Sequence, residues 1–219
     1  MRGRALLIGL AFAGGLAACG ADPTPEPSRD CPTGPPTDVG AQAELADAAQ
    51  AVVTVSGAVE GTFTLELYGE AAPIATANFV ALARCGFYDQ IAFHRVLDGF
   101  VVQAGDPQTR DNRGDFEGLG TGGPGYEFEI EAPADDLGYD PYALSMANDT
   151  RTNGSQFFIN LADLNDALTR TYTIFGRVVE GTEVVDQIGA VPVGDPQIGV
   201  PVDPVIIESV VIEAAAEES

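Results

Sequence analysis

The chain has no lysine. All ten of its basic residues are arginine, against 33 Asp and Glu, and the formal net charge over 219 residues is −23. Without lysine there is no Schiff-base nucleophile and no phosphate-binding lysine of the P-loop kind. With so little positive charge, phosphate backbones and anionic membrane surfaces repel the chain, so no nucleic-acid role is expected. Tryptophan is absent, histidine occurs once as His94, and cysteine occurs three times, as Cys19, Cys31 and Cys85. A cysteine nucleophile would need a histidine beside it, and the only one stands in a segment whose neighbours suggest another role. The N-terminal apolar run, Ala5 to Ala13, is shorter than the ~20 residues of a membrane-spanning helix.

What is present begins with a targeting segment. Arg2 and Arg4 open it, the apolar run follows, and small residues close it at Cys19. Leu16-Ala17-Ala18-Cys19 resembles the lipobox of bacterial lipoproteins, in which the signal is cut before a cysteine that then carries a diacylglycerol. The resemblance implies a signal peptide over 1–18 and an exported protein anchored at a bacterial membrane by lipid on Cys19, rather than spanning it. An ordinary secretory signal with Cys19 as a bystander is the alternative.

Residues 19–50 are rich in Pro, Asp, Thr, Gly and Ala, too poor in apolar surface to order themselves, and read as a flexible tether. A short helix over 41–51 would be marginal. The acidic tether could hold the folded domain away from an anionic leaflet. Cys31 lies in this stretch, and an exported chain permits it to pair with Cys85; packed alone, Cys85 reads as a small apolar residue closing a helix. Residues 51–214 form the predicted folded domain and 215–219 an acidic tail.

Within the domain, period-two alternation dominates. Phe63, Leu65 and Leu67 alternate with Thr62, Thr64 and Glu66, and further strand-like runs cover 91–96, 100–103, 126–130, 143–146, 156–160, 172–178 and 205–213. Only 73–84, with Pro at its first turn and Gly86 beyond its end, and 182–188 read as helices. Many short strands with glycine-rich turns point to a sandwich or closed barrel, and two helices could plug a barrel's ends.

The most informative stretch is Phe93-His94-Arg95, followed by Phe100, Gln103 and Gly105-Asp106. With Gly120-Thr121-Gly122-Gly123 and Tyr126, Ser145-Met146-Ala147-Asn148, Asn153-Gly154-Ser155-Gln156-Phe157-Phe158-Ile159, and Phe175-Gly176, it resembles the cyclophilins, peptidyl-prolyl cis-trans isomerases, over about residues 52–212. The resemblance implies an eight-stranded antiparallel barrel capped by two helices. It implies catalysis by Arg95, Phe100 and Gln103, with Val101, Ala147, Asn148, Phe158, Leu168 and Tyr172 binding a proline-containing polypeptide. Phe100, Val101, Phe158 and Leu168 would line the proline pocket, Gln103 and Asn148 would fix the substrate backbone, and Tyr172 would close the pocket. No cofactor or metal is implied, and a monomer is expected.

The residue types suit that reaction. The C–N bond of an amide has partial double-bond character and a rotation barrier of ~18–20 kcal/mol. Lowering that barrier needs no nucleophile, only tighter binding of the twisted amide, whose nitrogen has regained a lone pair. Arg95 can donate to that nitrogen from a planar fork that is always charged. Strand alternation should turn His94 to the opposite face, where it is structural. Taken singly, Phe158 and Leu168 would read as core residues.

Some features depart from the family pattern. The Asn148–Gln156 spacing is one residue shorter than usual, the 164–171 loop about one longer, and the acidic loop after Asp106 has no clear match. The missing tryptophan near Ala167 argues against cyclosporin sensitivity. Gly118-Leu-Gly-Thr-Gly-Gly123 spells a dinucleotide fingerprint, but Pro124-Gly125 follows where a helix should open. Asp111, Asn112 and Asp115 lack EF-hand spacing. Two other classes of function stay open: a non-catalytic proline-binding or holdase module, and a hydrolase built on Ser155 and His94.

Overall fold

The computed structural model describes residues 30–37, 49–111, 120–148 and 152–214. The signal peptide, Cys19, most of the tether, Asn112 to Leu119 of the acidic loop, Asp149 to Arg151 and the acidic tail lie outside the described residues.

Among the described residues ten strands, β1 (Ala49–Gly57), β2 (Gly61–Leu67), β3 (Ile91–Ala92), β4 (Arg95–Leu97), β5 (Val101–Ala104), β6 (Phe128–Glu129), β7 (Ala143–Asn148), β8 (Thr152–Asn160), β9 (Ile174–Glu180) and β10 (Val205–Ala214), form one antiparallel sheet. Its order is β3-β10-β1-β2-β9-β7-β8-β5-β4, with the two-residue β6 on β8. The two ends of this path are consecutive in sequence. Phe93 N–H donates to the Val205 carbonyl (2.9 Å), whereas His94 N–H donates to the Gln103 carbonyl (3.1 Å), so 91–97 leaves β10 and joins β5 within one step. One expected strand is thereby split in two. Counting β3 and β4 as one and setting β6 aside recovers the eight-stranded barrel, with chain continuity rather than a further ladder joining its ends.

Residues 49–51, assigned above to a marginal helix, are extended in β1, where all three pair with β10 and Gln50 and Ala51 also pair with β2. Val53 and Val55 point inward beside them, and cross-strand packing of β-branched side chains outweighs a helix too short to stand alone.

Among the described residues, two α-helices cover the core. Helix α1 (Pro73–Arg84) buries Phe79, Val80, Leu82 and Ala83; helix α2 (Thr182–Gly189) buries Val184, Val185 and Ile188. Ala72 cannot cap α1 with a side chain. Instead both oxygens of Glu131 accept the N–H groups of Ile74 and Ala75 at 2.8 Å, placing a carboxylate at the positive end of the helix. The helix ends where Gly86 takes φ +74° and the Phe87 N–H returns to the Leu82 carbonyl. Phe79, Tyr88, Phe157 and Phe175 pack ring to ring at 5.0–5.7 Å in the core beneath α1.

Cys85 does not pack as a free apolar residue. It stands half-buried just past the end of α1 and is disulfide-bonded to Cys31, with 5.2 Å between their Cα atoms. The position lies within bonding reach of the N-terminal segment, and the bond to Cys31 takes up the thiol. The predicted tether is therefore tied to the barrel at Cys31. No described helix is long and apolar enough to cross a membrane.

Candidate active site

Pairing register builds the site. Arg95 on β4 lies opposite Gln103 on β5, which lies opposite Phe158 on β8, so three side chains from distant sequence stand in one row. Alternation divides these strands between two cores. Val96, Val102, Ala104, Phe157 and Ile159 belong to the barrel core. Val101 and Phe158 join a second cluster with Tyr139, Leu164 and Ile174, against which Phe100, Leu168 and Tyr172 pack.

Arg95, Phe100, Val101, Gln103, Ala147, Asn148, Phe158, Leu168 and Tyr172 all line one cavity of about 170 Å³. The structure thus brings together all nine residues that the sequence nominates for catalysis and binding. The Tyr172 ring stands edge-on to Phe158, 5.4 Å between centroids. A larger cavity of about 770 Å³ adjoins this one, sharing Gln103, Ala147 and Asn148 and running along Gly120–Glu127 and Thr152–Gln156. The smaller space suits a proline ring. The two together suit a stretch of polypeptide.

Two side chains do more within the protein than the sequence suggests. Asn148 Nδ2 donates to the Thr171 carbonyl (2.9 Å), so its amide ties β7 to the loop carrying Leu168 and Tyr172. Gln103 accepts from Arg95 Nη1 (3.5 Å) and donates from Nε2 to Gln156 Oε1 (3.0 Å), which engages both ends of its amide. Sequence reasoning also missed two residues. Tyr139, fully buried, accepts the Tyr172 N–H at its hydroxyl, and its one hydroxyl proton is shared between the Thr169 and Tyr172 carbonyls, pinning the loop that closes the pocket. Gln156 lies inside one of the family motifs, and its place diagonally across from Gln103, two residues before Phe158 on β8, could be inferred only from strand pairing.

His94 is buried and does not line the Arg95 cavity. Its ring nitrogens make no well-formed hydrogen bond, though the Gln156 side chain and the Ala92 backbone stand close, and burial lowers its pKa to about 4, against the opposing attraction of Asp106 and with added repulsion from Arg95. A neutral buried imidazole binds its proton later than the unfolded chain does. Between pH 6.5 and 4 the unfolded state holds more protons, so stability present at neutral pH is lost as pH falls through that window, by about 3 kcal/mol. Urea unfolding at pH 7 and pH 4 checks this: the acid loss should be smaller by about that amount in His94→Leu, and equal losses in the two proteins would contradict it.

Ser155 is fully buried, and its hydroxyl donates to the Gly105 carbonyl (2.7 Å) rather than to His94. No serine–histidine pair forms, which removes the basis of the hydrolase reading. The Gly120–Gly123 stretch forms a cavity wall and no helix follows it, unlike a dinucleotide loop.

The comparisons agree with this geometry. The family model for cyclophilin type peptidyl-prolyl cis-trans isomerases matches residues 51–212. A "peptidyl-prolyl cis-trans isomerase-like 1" of Emericella nidulans is 40% identical over 163 residues, covering 72% of this chain and 93% of the relative. Peptidyl-prolyl cis-trans isomerase A of Mycobacterium tuberculosis is 40% identical over 172 residues, covering 69% and 87%. A crystal structure of a Cryptosporidium parvum cyclophilin, 32% identical, superposes with a TM-score of 0.65 over 76% of this chain and 98% of its own; a second was determined in the presence of the dipeptide Ala-Pro. The chain belongs to the family of cyclophilin-type peptidyl-prolyl cis-trans isomerases, and its activity is the isomerisation of X-Pro peptide bonds.

Proposed function

We propose that the chain accelerates X-Pro rotation in unfolded or newly exported polypeptides by presenting the Arg95 guanidinium to the prolyl nitrogen. The observation that carries this is one cavity with a single cation, Arg95, at an apolar wall made by Phe100, Val101, Phe158 and Leu168. The wall holds the pyrrolidine ring by burial. As the amide twists, its nitrogen becomes a hydrogen-bond acceptor, and a donor fixed in place stabilises the twisted state more than either planar isomer. No bond to the protein forms, and no proton is transferred.

The setting is an oxidising compartment outside the cytoplasm, with the protein held at a bacterial membrane through lipid on Cys19. The Cys31–Cys85 disulfide supports an oxidising compartment. Because Cys31 is fixed to the barrel by its bond to Cys85, the segment left to serve as a spacer is the one between Cys19 and Cys31. The protein works as a monomer on segments of extended chain.

The mixed character of the two adjoining cavities keeps one other reading in view, a module that holds proline segments without turnover. Refolding of a denatured protein limited by prolyl isomerisation separates the two. The enzyme shortens the slow phase at substoichiometric concentration, whereas a holdase leaves its rate unchanged or slows it. For the anchor, the parent should partition with membranes and take up labelled fatty acid, and Cys19→Ser should do neither; equal labelling of both would sink the proposal.

A further inference from the structure

We infer that the hairpin over 191–202 extends the site into an interaction surface: it takes apolar side chains of the same client chain whose proline sits in the Arg95 cavity. The inference deepens the reading of the substrate as unfolded polypeptide and rests on it.

Exposure singles the hairpin out. Among the described residues four large apolar side chains are exposed, and the two most exposed, Ile198 at 60% and Val202 at 62%, both belong to this hairpin. Pro192 and Pro196 stand exposed beside them, whereas Val191 and Val193 pack against the barrel core. Core packing thus accounts for the two valines but not for the four apolar groups that face water. The one charged side chain in 191–202 is Asp195, and its carboxylate accepts the Gln197 N–H (2.8 Å) within the turn. In a chain of net charge −23 this is an apolar patch nearly free of charge, the composition found at the centre of protein interfaces.

The hairpin is bonded along its length. Gly194 N–H donates to the Val200 carbonyl (2.9 Å), Val202 N–H to the Pro192 carbonyl (2.8 Å), and Gly199 N–H closes the tip on the Asp195 carbonyl (2.7 Å). A patch held in this way loses little freedom when a partner covers it.

Its place ties it to the site. Val96 N–H donates to the Gly199 carbonyl (2.6 Å), so the hairpin lies along the edge of β4 that β5 leaves open. Gly199, at φ +82°, is pressed so close that a Cβ would overlap the Val96 carbonyl and Leu97 Cδ2. Val96 packs in the barrel core, so alternation puts Leu97 on the outer face with Arg95. Ile198 is next in the chain to Gly199, which strand rise and spacing place roughly 10–15 Å from the guanidinium, a gap that extended polypeptide crosses in about three to five residues. This continuity with the cavity chooses the occupant. A second copy of so acidic a chain, or an anionic leaflet, would meet electrostatic repulsion instead.

The test compares two substrates with the full chain and with the double variant Ile198→Ser, Val202→Ser, whose exposed positions leave the core intact. One is a four-residue X-Pro peptide, too short to occupy both cavity and hairpin; the other is a denatured protein whose refolding is limited by prolyl isomerisation. The double variant should match the parent within about 1.5-fold on the peptide and fall roughly 3- to 10-fold in kcat/KM on the protein, with the loss in KM, because two apolar contacts far from the amide bind its planar and twisted forms equally. Val211→Ser, exposed on β10, is the control and should change neither.

A parent that leaves the protein's slow phase unchanged removes the reading of unfolded polypeptide as substrate, and the inference falls with it. If the parent accelerates both substrates, three results each overturn the inference alone: parental KM on the protein in the double variant, equal losses on the two substrates, or a loss that Val211→Ser reproduces. Parental KM accompanied by weaker self-association in sedimentation, or by weaker binding to phosphatidylglycerol vesicles, would assign the patch to a second copy or to a bilayer.

Discussion

Arg95→Ala should lower kcat/KM for an X-Pro peptide by at least about tenfold and by as much as about a thousandfold. The lower figure follows from a charged hydrogen bond of ~1.5–3 kcal/mol and the upper from a preorganised donor in a dry site at up to ~4 kcal/mol, at about 1.36 kcal/mol per decade. The loss should fall on kcat more than on KM, because the apolar wall of Phe100, Val101, Phe158 and Leu168 still binds the ring in the ground state. Arg95→Lys is the sharper variant. It retains charge but replaces a planar fork by a flexible point charge that cannot keep the Gln103 bond and the substrate bond in one plane, so its rate should lie nearer to the alanine variant than to the parent. A lysine variant with parental kcat would reduce the role of Arg95 to simple charge.

Breaking the Cys31–Cys85 bond should have the largest effect on stability. It closes a loop of 54 residues containing β1, β2 and α1. Constraint of the unfolded chain by a loop of that length contributes about 4 kcal/mol, a large share of the ~5–15 kcal/mol by which a domain is stable. Urea unfolding with and without reductant, or of Cys31→Ser with Cys85→Ser, measures it. Activity of the folded fraction should be unchanged, since neither cysteine lines either active-site cavity. A loss below about 1 kcal/mol would mean that the bond restrains the N-terminal segment without strengthening the barrel.

The fold was legible wherever its signals were local. Pro73 at the first turn and Gly86 past the last bound α1 at both ends, and alternation in 61–67 marked β2, because proline geometry, a left-handed glycine and a half-buried strand each act within a few residues. The N-terminal cap of α1 was not legible: Glu131 lies 57 residues from Ile74, and nothing near it announces a helix to cap. The division of 91–97 was equally hidden. Phe93 and His94 are good strand residues, and only the change of partner from β10 to β5 breaks the ladder there.

The site divides in the same way. Arg95, Gln103 and Phe158 were visible through motifs, and their convergence follows from β4-β5-β8 register. Tyr139, Gln156 and Asp106 act through bonds across 14 to 53 residues, and their types alone fit a buried tyrosine, a strand glutamine and a turn-capping aspartate. Cys31 looked like part of a spacer because composition cannot reveal what a single side chain bonds to.

The central claim is that this cavity turns X-Pro bonds over rather than merely holding them. Exchange-sensitive NMR on a short X-Pro peptide, with the protein from residue 20 onward at a small fraction of the peptide concentration, measures it directly. The account predicts cis–trans exchange raised well above the uncatalysed rate, which takes roughly tens to hundreds of seconds per event. Peptide resonances that shift on binding while exchange stays at the uncatalysed rate would contradict it and leave a proline-binding module in its place.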